Sequence, residues 1–276
     1  MVGIGEMGRP MAERLLAAGH EVSFYARRPG AGDDLVALGA IPADSLRGLG
    51  AESEAVIVCV FSDDQVLEVC LGAGGLVEAM PSGSVLVNHT TGSPATAARV
   101  EQAAAHRGVR FLDAALSGGP PAVEAGQLTL MIGGGEEVLE VVRPVLAAYS
   151  DPILHVGRAG DGQRIKLVNN ALFAAHIVLA GSAEQLARSL GVDPLVALRA
   201  ITHCSGDSYS LRIVAATGSA EQTWDRVGRF IRKDVAMVEA VAADLGVDLG
   251  LVGTVVRSGP DRAGAEREGP PPLPGE

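Results

Sequence analysis

The chain opens with MVGIGEMGRPMAERLLAAGHEVSFYARR at residues 1–28, and this stretch decides the fold. Gly3, Gly5 and Gly8 form a GxGxxG pattern that opens a helical stretch, and a strand pattern at Glu21 to Tyr25 follows. In a glycine-rich chain GxGxxG alone is a weak signal, but this context is the one a dinucleotide-binding turn needs. Such glycines let the backbone approach a pyrophosphate, whose charge the helix N-terminus binds. The stretch therefore predicts a dinucleotide site, with an ordinary glycine turn as the alternative.

The residues after the second strand indicate which dinucleotide is bound. An NAD site has a carboxylate about twenty residues past the glycines, where it binds the ribose 2′-hydroxyl. This chain has Ala26 there, followed by Arg27 and Arg28. Two guanidinium groups can pair with a 2′-phosphate that no acid repels. We therefore expect NADP(H) to be favoured over NAD(H); the alternative is that one or both arginines are simply solvated.

The strand expected before Gly3 is short. Strands usually run about five or six residues, whereas Met1 and Val2 alone stand before Gly3. In the doubly wound order this strand lies at the centre of the sheet. We expect either a native start further upstream or a domain weakened by missing ladder hydrogen bonds.

Strand and helix patterns alternate in the first part of the chain. Ala55–Phe61 is a continuous apolar run, typical of a parallel strand buried on both faces. Further strands are expected at Ser84–Val87, Arg110–Asp113 and, as a hairpin-like continuation, Gln127–Ile132. This alternation is typical of an α/β domain with a mainly parallel sheet.

Helical patterns replace the strands after Gly162. We expect helices at about 162–190, 193–203, 207–216 and 228–245. The fold class is therefore α/β, with an N-terminal Rossmann-type doubly wound sheet at 1–157 and an all-α substrate and dimerisation domain at 158–257. Residues 258–276 are rich in proline, glycine and charge, and we expect them to be disordered.

Composition excludes several classes of function. The formal charge of -11 argues against a nucleic-acid partner. We expect no membrane span and no signal peptide, because the sequence has neither a run of about eighteen apolar residues nor a basic segment before an apolar one. Three cysteines without a CxxC pair fit free thiols in the cytoplasm. We expect no metal site, since no His, Cys or carboxylate cluster has ligand spacing.

The helix that opens with GDGQRIKLVNN at residues 160–170 carries the candidate catalytic pair. Asp161 is a plausible N-cap, and Lys166 falls beside an apolar stripe. Asn170 follows one turn later on the same side. An ammonium next to an amide could bind and protonate a carbonyl oxygen. The alternative is a surface lysine extending from an amphipathic helix. The predicted stripe comprises Ile165, Val168, Leu172, Ala175 and Leu179.

Two strand ends carry further candidate ligand-binding residues. Hydroxyl groups at residues 90–93 follow one strand, where open α/β sheets bind ligands, although they also suit capping of the helix expected from Pro94. Ser117, Gly118 and Gly119 follow the next strand. The backbone N–H groups and hydroxyl of such a turn could bind a carboxylate. A plain loop is the alternative.

Five motifs in this order resemble the β-hydroxyacid dehydrogenase family, which includes 3-hydroxyisobutyrate dehydrogenases and tartronate or succinic semialdehyde reductases. The motifs span roughly residues 1–255 and read GIGEMGRPMA, NHTTGSP, FLDAALSGGPPAVEAGQLTLMIGG, GDGQRIKLVNN and FIRKDVAM. The resemblance implies an oxidoreductase that interconverts a small β-hydroxyacid and its semialdehyde or carbonyl acid, and Arg27 and Arg28 make NADP the expected cofactor.

The resemblance also implies residue roles. Lys166 is then the general acid in carbonyl reduction and the base-side partner in alcohol oxidation, and Asn170 orients the substrate. Ser117, Gly118 and Gly119 bind the substrate carboxylate. The residues implied along the cofactor are Gly3, Gly5, Met7, Gly8, Val60, Phe61, Thr91 and Lys233.

Two other functions compete with this interpretation. Imine reductases resemble the chain but usually carry Asp or Tyr at the catalytic position, so Lys166 argues against that activity. A truncated, non-catalytic nucleotide-binding remnant is favoured by the short first strand and the proline-rich end. Intact Lys166 and Asn170 argue against a purely regulatory protein.

The long helix also predicts self-association. A helix of about 28 residues spans roughly 42 Å, too long for one small domain to cover. Small residues along it suit close packing against another chain, and we expect a homodimer or homotetramer. They are Ala171, Ala174, Ala175, Ala180, Gly181, Ser182 and Ala183.

Overall fold

The computed structural model describes residues 1–28 and 30–259, which form two compact units. The first runs from Met1 to Lys166, and the second begins at Leu167. Every described strand lies in the first unit. The strands are β1 Ser23–Phe24, β2 Ile41–Pro42, β3 Ala55–Val58, β4 Val85–Asn88, β5 Arg110–Ser117, β6 Leu128–Gly134 and β7 Ser150–Gly157.

Helices alternate with these strands and then continue alone. Those that begin and end in the first unit are α1 Gly8–Ala17, α2 Asp33–Ala37, α3 Leu46–Glu52, α4 Asp63–Leu71, α5 Leu76–Ala79, α6 Pro94–His106, α7 Pro120–Glu124 and α8 Glu136–Leu146. The helix α9, Asp161–Ser189, runs from the first unit into the second. It is followed by α10 Pro194–Ile201, α11 Tyr209–Thr217, α12 Ala220–Leu245 and α13 Gly250–Arg257.

The main sheet has the order β3-β4-β5-β6-β7. Pairing is parallel except between β5 and β6, which form the antiparallel hairpin expected after Arg110–Asp113. The strands β1 and β2 pair in parallel as a separate two-stranded sheet. This arrangement confirms the predicted Rossmann-type sheet followed by a helical region.

Helices cover both faces of the sheet, and strand residues alternate between two cores. In β4, Val85 and Val87 belong to the cluster that contains Met11 and Leu15 of α1. Leu86, between them, belongs to the cluster that contains helices α4 to α6. Successive strand side chains point to opposite faces, so a continuous apolar run fills both layers. The doubly wound prediction is confirmed by this alternation.

Met1 and Val2 lie between β1 and β3 and connect the two sheets. The Val2 N–H donates to the Ile57 carbonyl, and the Val2 carbonyl accepts from the Cys59 N–H, both at 2.9 Å. On the other side, the Met1 carbonyl accepts from the Tyr25 N–H at 2.9 Å. The expected gap in the ladder is therefore bridged by two residues with their backbone groups paired on both sides.

The second unit is helical, with side-chain caps at three helix starts. Asp193, Ser208 and Ser219 accept the N–H of the residue three positions later. The predicted helix at 228–245 begins eight residues earlier, at Ala220. The Ser219 side chain caps the helix and sets its actual start.

The long helix buries a different face from the predicted one. Of the predicted apolar stripe only Ala175 is buried, whereas Ile165, Val168, Leu172 and Leu179 are exposed. The buried face is rich in alanine, because small side chains let the neighbouring helices approach closely. It comprises Leu167, Ala171, Ala174, Ala175, Ile177 and Ala180. Ala171, Ala174, Ala175 and Ala180 are thus already buried, so they leave no surface for a second chain.

The helix α9 is also long and apolar enough, by length and composition, to cross a membrane. One such helix is weak support for a membrane span, because long core helices have the same properties. The predicted tail lies outside the described residues, except for Ser258 and Gly259.

Candidate active site

Each glycine of the GxGxxG turn has the surroundings that a dinucleotide-binding turn needs. Gly3 has a φ of +91°, and a Cβ there would lie 2.0 Å from the Cys59 carbonyl oxygen. A Cβ on Gly8 would lie 1.9 Å from the Gly3 carbonyl oxygen, whereas one on Gly5 would meet open space. Gly3 and Gly8 therefore allow close backbone packing, and Gly5 leaves room for a ligand.

The helix that follows this turn presents an N-terminus suited to an anion. Met7 is at the N-cap of α1, which has no capping side chain and no acidic residue in its first turn. The partial positive charge of the helix dipole is thus not offset by a nearby carboxylate of the helix. These features are what a pyrophosphate requires.

The residues after β1 are arranged as the sequence predicted. Arg27 and Arg28 follow Tyr25 and are both exposed, and Ala26 is half-buried. Arg9, by contrast, forms an ion pair with Asp34. Two exposed guanidinium groups therefore stand at the end of the strand next to Val2.

Loops at the carboxyl ends of β3 and β4 are linked by side chains. The Val60 N–H donates to the Thr90 hydroxyl at 3.0 Å, and the Phe61 N–H donates to the Gln65 amide oxygen at 2.9 Å. Asp63 accepts the Ser93 N–H through both carboxylate oxygens. Thr91 is half-buried and Phe61 is 54% exposed. The loops predicted to lie along a cofactor are thus held together at one edge of the sheet.

Asp113, in the middle of β5, holds the start of α9. Its side chain is fully buried, and its two oxygens accept the N–H groups of Gly160 at 2.7 Å and Gln163 at 2.9 Å. Burial raises the pKa of Asp113 to about 6, although these two N–H groups favour the charged form. The cap of the helix is therefore a residue from a neighbouring strand.

Asp161 does not cap the helix, contrary to the sequence interpretation. It is the first helical residue, and its carboxylate accepts the Arg158 N–H at 3.1 Å and binds the Arg164 guanidinium at 2.7 Å. Asp113 occupies the capping role instead, because Gly160 and Gln163 face it across the sheet edge.

Gln163 links the same helix to the loop after β4. Its amide oxygen accepts the Gly92 N–H at 3.0 Å, and its amide nitrogen donates to the Thr90 carbonyl at 3.1 Å. Gln163 is 1% exposed. The start of α9 is thus fixed against the carboxyl end of β4 and, through Asp113, the middle of β5.

The predicted catalytic pair follows on α9. Lys166, three residues after Gln163, is half-buried. Asn170 is one turn further and 7% exposed. The Asn170 amide nitrogen donates to an Asp234 carboxylate oxygen at 2.8 Å, and its oxygen accepts from the Asn169 amide at 3.2 Å. These bonds fix the orientation of the Asn170 amide. Lys233, next to Asp234 in α12, is half-buried.

The Ser-Gly-Gly segment forms a turn that needs glycine. Ser117 is the last residue of β5, and Gly118 follows with a φ of +128°. A Cβ on Gly118 would lie 3.0 Å from the Ala122 Cβ. Gly119 is in extended conformation at the start of α7. The backbone therefore turns sharply directly after the strand.

The buried side chain of His89 links β5 to Tyr149. The His89 ring approaches the Ala114 carbonyl through Nδ1 at 2.7 Å and the Tyr149 hydroxyl through Nε2 at 2.8 Å. Burial lowers the pKa of His89 to about 4, although the Ala114 carbonyl opposes this shift, and burial raises that of Tyr149. The neutral ring therefore donates through Nδ1 and accepts through Nε2.

Sequence reasoning named the loops and Lys166 as candidates but did not name Asp113 and Gln163, which the structure places at the start of α9. The signal was present in the small residues around them, since a Cβ on Gly162 would lie 2.7 Å from an Asp113 oxygen. No group of three or more His, Cys, Asp or Glu residues in the described ranges could hold a metal ion.

A glycine turn at the sheet edge and the strand-end loops beside it have the architecture of a dinucleotide-binding domain. Residues 1–157 match the family model of the NAD-binding domain of 6-phosphogluconate dehydrogenase. Residues 160–266 match that of the NAD-binding domain of NADP-dependent 3-hydroxyisobutyrate dehydrogenase. The chain belongs to the β-hydroxyacid dehydrogenase family.

Individual proteins show the same relationship. The chain is 34% identical to a 3-hydroxyisobutyrate dehydrogenase of Pseudomonas aeruginosa over 97% of this chain and 93% of that protein. A Mycobacterium tuberculosis 3-hydroxyisobutyrate dehydrogenase solved with L-serine has a TM-score of 0.82 at 27% identity, over 93% of this chain and 90% of that one. An imine reductase of Myxococcus stipitatus, at 22% identity and a TM-score of 0.63 over 93% and 91%, shares the fold.

Proposed function

We propose that this chain is an NADP-dependent oxidoreductase that interconverts a small β-hydroxyacid and its semialdehyde or carbonyl acid. The single observation that carries the proposal is the fixed start of α9. Asp113 and Gln163 hold this helix at the carboxyl edge of the sheet, three residues before Lys166. Ligands of open α/β sheets bind at that edge.

The proposed cofactor site uses the glycine turn and the loops at the same edge. Gly3, Gly5, Met7 and Gly8 bind the pyrophosphate, which the open space beside Gly5 supports. Arg27 and Arg28 bind the 2′-phosphate, because both are exposed and no carboxylate occupies the position of Ala26. Val60, Phe61 and Thr91 are assigned to the cofactor along the loops. The assignment of Lys233 rests on the motif FIRKDVAM alone.

The proposed chemistry divides between cofactor and protein. A bound nicotinamide supplies or accepts the hydride. During reduction Lys166 donates a proton from Nζ to the carbonyl oxygen, and during oxidation it accepts the proton of the hydroxyl group. Asn170 orients the substrate through an amide that Asp234 holds in place. The N–H groups and hydroxyl of Ser117, Gly118 and Gly119 bind the substrate carboxylate.

The proposed division of the chain assigns the nucleotide to residues 1–157 and the substrate and dimer contacts to 158–257. The alternative activities are less well supported. Lys166 stands where imine reductases usually carry Asp or Tyr, and the likeness to the imine reductase concerns the fold. The short first strand, which favoured a non-catalytic remnant, is paired on both sides through Met1 and Val2.

We also propose a homodimer or homotetramer assembled through α9. Large apolar side chains are exposed at regular spacing along this helix, and water contact with such a row is unfavourable. They are Ile165, Val168, Leu172, Leu179 and Leu186. Burial against a second copy would remove them from water. We place the protein in the cytoplasm, with neither a membrane nor nucleic acid as a partner.

Fluorescence titration and a substrate panel test this proposal. The purified chain is titrated with NADPH and NADH, and then assayed with small semialdehyde acids and, in the other direction, small β-hydroxyacids. We expect tighter binding of NADPH than of NADH and turnover of at least one acid pair. NADPH binding without any turnover across the panel would support the non-catalytic alternative and contradict the proposal.

A further inference from the structure

The start of α9 is tied to the sheet through residues that the proposed chemistry does not use directly. Asp113 accepts the N–H groups of Gly160 and Gln163, one on each carboxylate oxygen. A Cβ on Gly133 would lie 2.2 Å from one oxygen, and a Cβ on Gly162 would lie 2.7 Å from the other. The carboxylate therefore fits between two positions that only glycine can occupy without displacement.

The Gln163 side chain makes a second tie at the same point. Its amide accepts the Gly92 N–H and donates to the Thr90 carbonyl, at 3.0 and 3.1 Å. The Thr90 hydroxyl in turn accepts the Val60 N–H. One buried amide thus connects the helix of Lys166 with the loops assigned to the cofactor.

We propose that Gln163 and Asp113 are positioning residues. They fix the position of α9 along its axis and its rotation about that axis, and so the place of the Lys166 ammonium relative to the loops at 60–61 and 90–92. This inference rests on the proposed function, since it assigns a catalytic purpose to the ties. Lys166 follows Gln163 by three residues, which is about 4.5 Å along a helix at 1.5 Å per residue. Movement at Gln163 is therefore transmitted to Lys166 with little attenuation.

The expected consequence is loss of chemical rate rather than loss of cofactor affinity. Misplacement of a reacting group by about 1 Å can lower the rate by on the order of 100-fold. Neither Gln163 nor Asp113 is among the residues assigned to hold the cofactor. A merely structural role would instead lower stability and impair binding and turnover together.

The test compares Gln163→Met, which keeps length and removes both amide hydrogen bonds, with Gln163→Glu, which keeps an acceptor for the Gly92 N–H. Gln185→Met is the matched control, because Gln185 is an exposed glutamine on the same helix. Measurements are kcat, KM, the NADPH Kd, the thermal midpoint and the kinetic isotope effect with NADPH deuterated at C4. Asp113→Asn provides a second variant in case Gln163→Met does not fold.

For Gln163→Met we expect kcat to fall about 10- to 100-fold, the NADPH Kd to change less than about threefold, and the isotope effect to rise. Gln163→Glu should lie between wild type and Gln163→Met, and Gln185→Met should match wild type. Asp113→Asn should lower kcat in the same manner.

Two results would overturn the proposal. One is kcat of Gln163→Met within twofold of the wild-type value. The other is a parallel loss of stability, NADPH affinity and turnover in Gln163→Met and Asp113→Asn, which would make the ties structural. Hydrogen exchange of amides 160–168 distinguishes a failure of this positioning proposal from a failure of the proposed function. If the wild type turns over no acid while Gln163→Met exchanges faster there, the tie exists and the assigned catalytic purpose is wrong.

Discussion

The first turn of α9 and the turns that follow it are held in different ways. At residues 160–163 the backbone and one side chain are fixed by directional hydrogen bonds to Asp113, Thr90 and Gly92. From Leu167 onward the helix is held by packing of a buried face made mostly of alanines, while Val168, Leu172, Leu179 and Leu186 are exposed. The first turn is thus fixed by directional hydrogen bonds, and the later turns by packing of apolar side chains.

This difference suits the position of Lys166. A hydrogen bond restricts both distance and direction, whereas apolar packing tolerates exchanges of similar volume. Lys166 directly follows the hydrogen-bonded turn and is the last residue of the first unit. A proton donor needs to be placed within hydrogen-bond reach of its target, which the directional ties can provide.

The largest expected effect concerns the hydrogen-bonded turn itself. Lys166→Ala should lower kcat by about 10³-fold, within the usual range for removal of a general acid, while the NADPH Kd stays nearly unchanged. Steady-state kinetics and fluorescence titration measure the two quantities. Arg164→Ala removes another cation two residues earlier and should retain nearly full activity. Turnover that survives in Lys166→Ala would contradict the assignment of Lys166 as the general acid.

The second effect is the pH dependence of stability that arises from His89, at the carboxyl end of β4, next to the loop that binds the first turn of α9. His89 precedes Thr90, and its pKa is lowered from 6.5 to about 4 by burial. The unfolded chain therefore takes up a proton first as the pH falls. The His89 contribution to stability is fully present above about pH 6.5 and is lost toward pH 4, by about 3.5 kcal/mol at 1.4 kcal/mol per unit. Asp113, whose pKa burial raises to about 6, contributes in the opposite sense as the pH falls below 6.

Hydrogen exchange of β4 and β5 amides between pH 4.5 and 7.5 measures this loss, after correction for intrinsic rates. The difference between the wild type and His89→Asn gives the His89 contribution, whereas His106→Asn, at the exposed end of α6, should match the wild type. An equally steep dependence in His89→Asn would assign the effect to other groups.

Sequence patterns predicted the fold class because it depends on periodicity and glycine placement, but they did not predict every element. The apolar run at Ala55–Phe61 and the GxGxxG turn each predicted their elements. The strand β2 was missed because it has only two residues, both exposed. The helix α13 was missed because Gly250 and Gly253 weaken its helical pattern.

The site was only partly predictable for a different reason. Lys166 and Asn170 could be predicted as a pair because they lie one helical turn apart in sequence. Asp113 was read only as a strand end, because its partners Gly160 and Gln163 lie about fifty residues away and meet it only in the folded chain. The outward face of α9 was misassigned because large apolar residues were expected inside, whereas alanines fill the core.

The third effect concerns the packed part of the helix. Val168 is 62% exposed, and we expect a second copy to cover it. Val168→Gln with Leu172→Gln should destabilise the dimer by about 2 kcal/mol or more, a rise in its dissociation constant of roughly thirtyfold. Light scattering over a dilution series measures this change. Val141→Gln alters a similarly exposed valine on α8 and should leave the dimer intact. A wild-type chain that is monomeric at micromolar concentration would contradict the assembly.

The smallest effect lies outside both parts of the helix. Arg27→Ala with Arg28→Ala should raise the NADPH Kd about tenfold, or about 1.4 kcal/mol, because two charged contacts with the 2′-phosphate are lost. The NADH Kd should change little, and kcat at saturating NADPH should stay near the wild-type value. Arg99→Ala, an exposed arginine on α6, is the control. Equal losses for NADPH and NADH would show that the arginines do not select the cofactor.

The most direct test of the central claim follows the hydride itself. The wild-type chain is incubated with NADPH deuterated at C4 and a small semialdehyde acid, and the hydroxyacid product is analysed by mass spectrometry. We expect one deuterium on the carbinol carbon from the wild type, and labelled product formed about 10³-fold more slowly by Lys166→Ala that still binds NADPH. Absence of labelled product from a wild-type chain that binds NADPH would contradict the assignment as a β-hydroxyacid oxidoreductase.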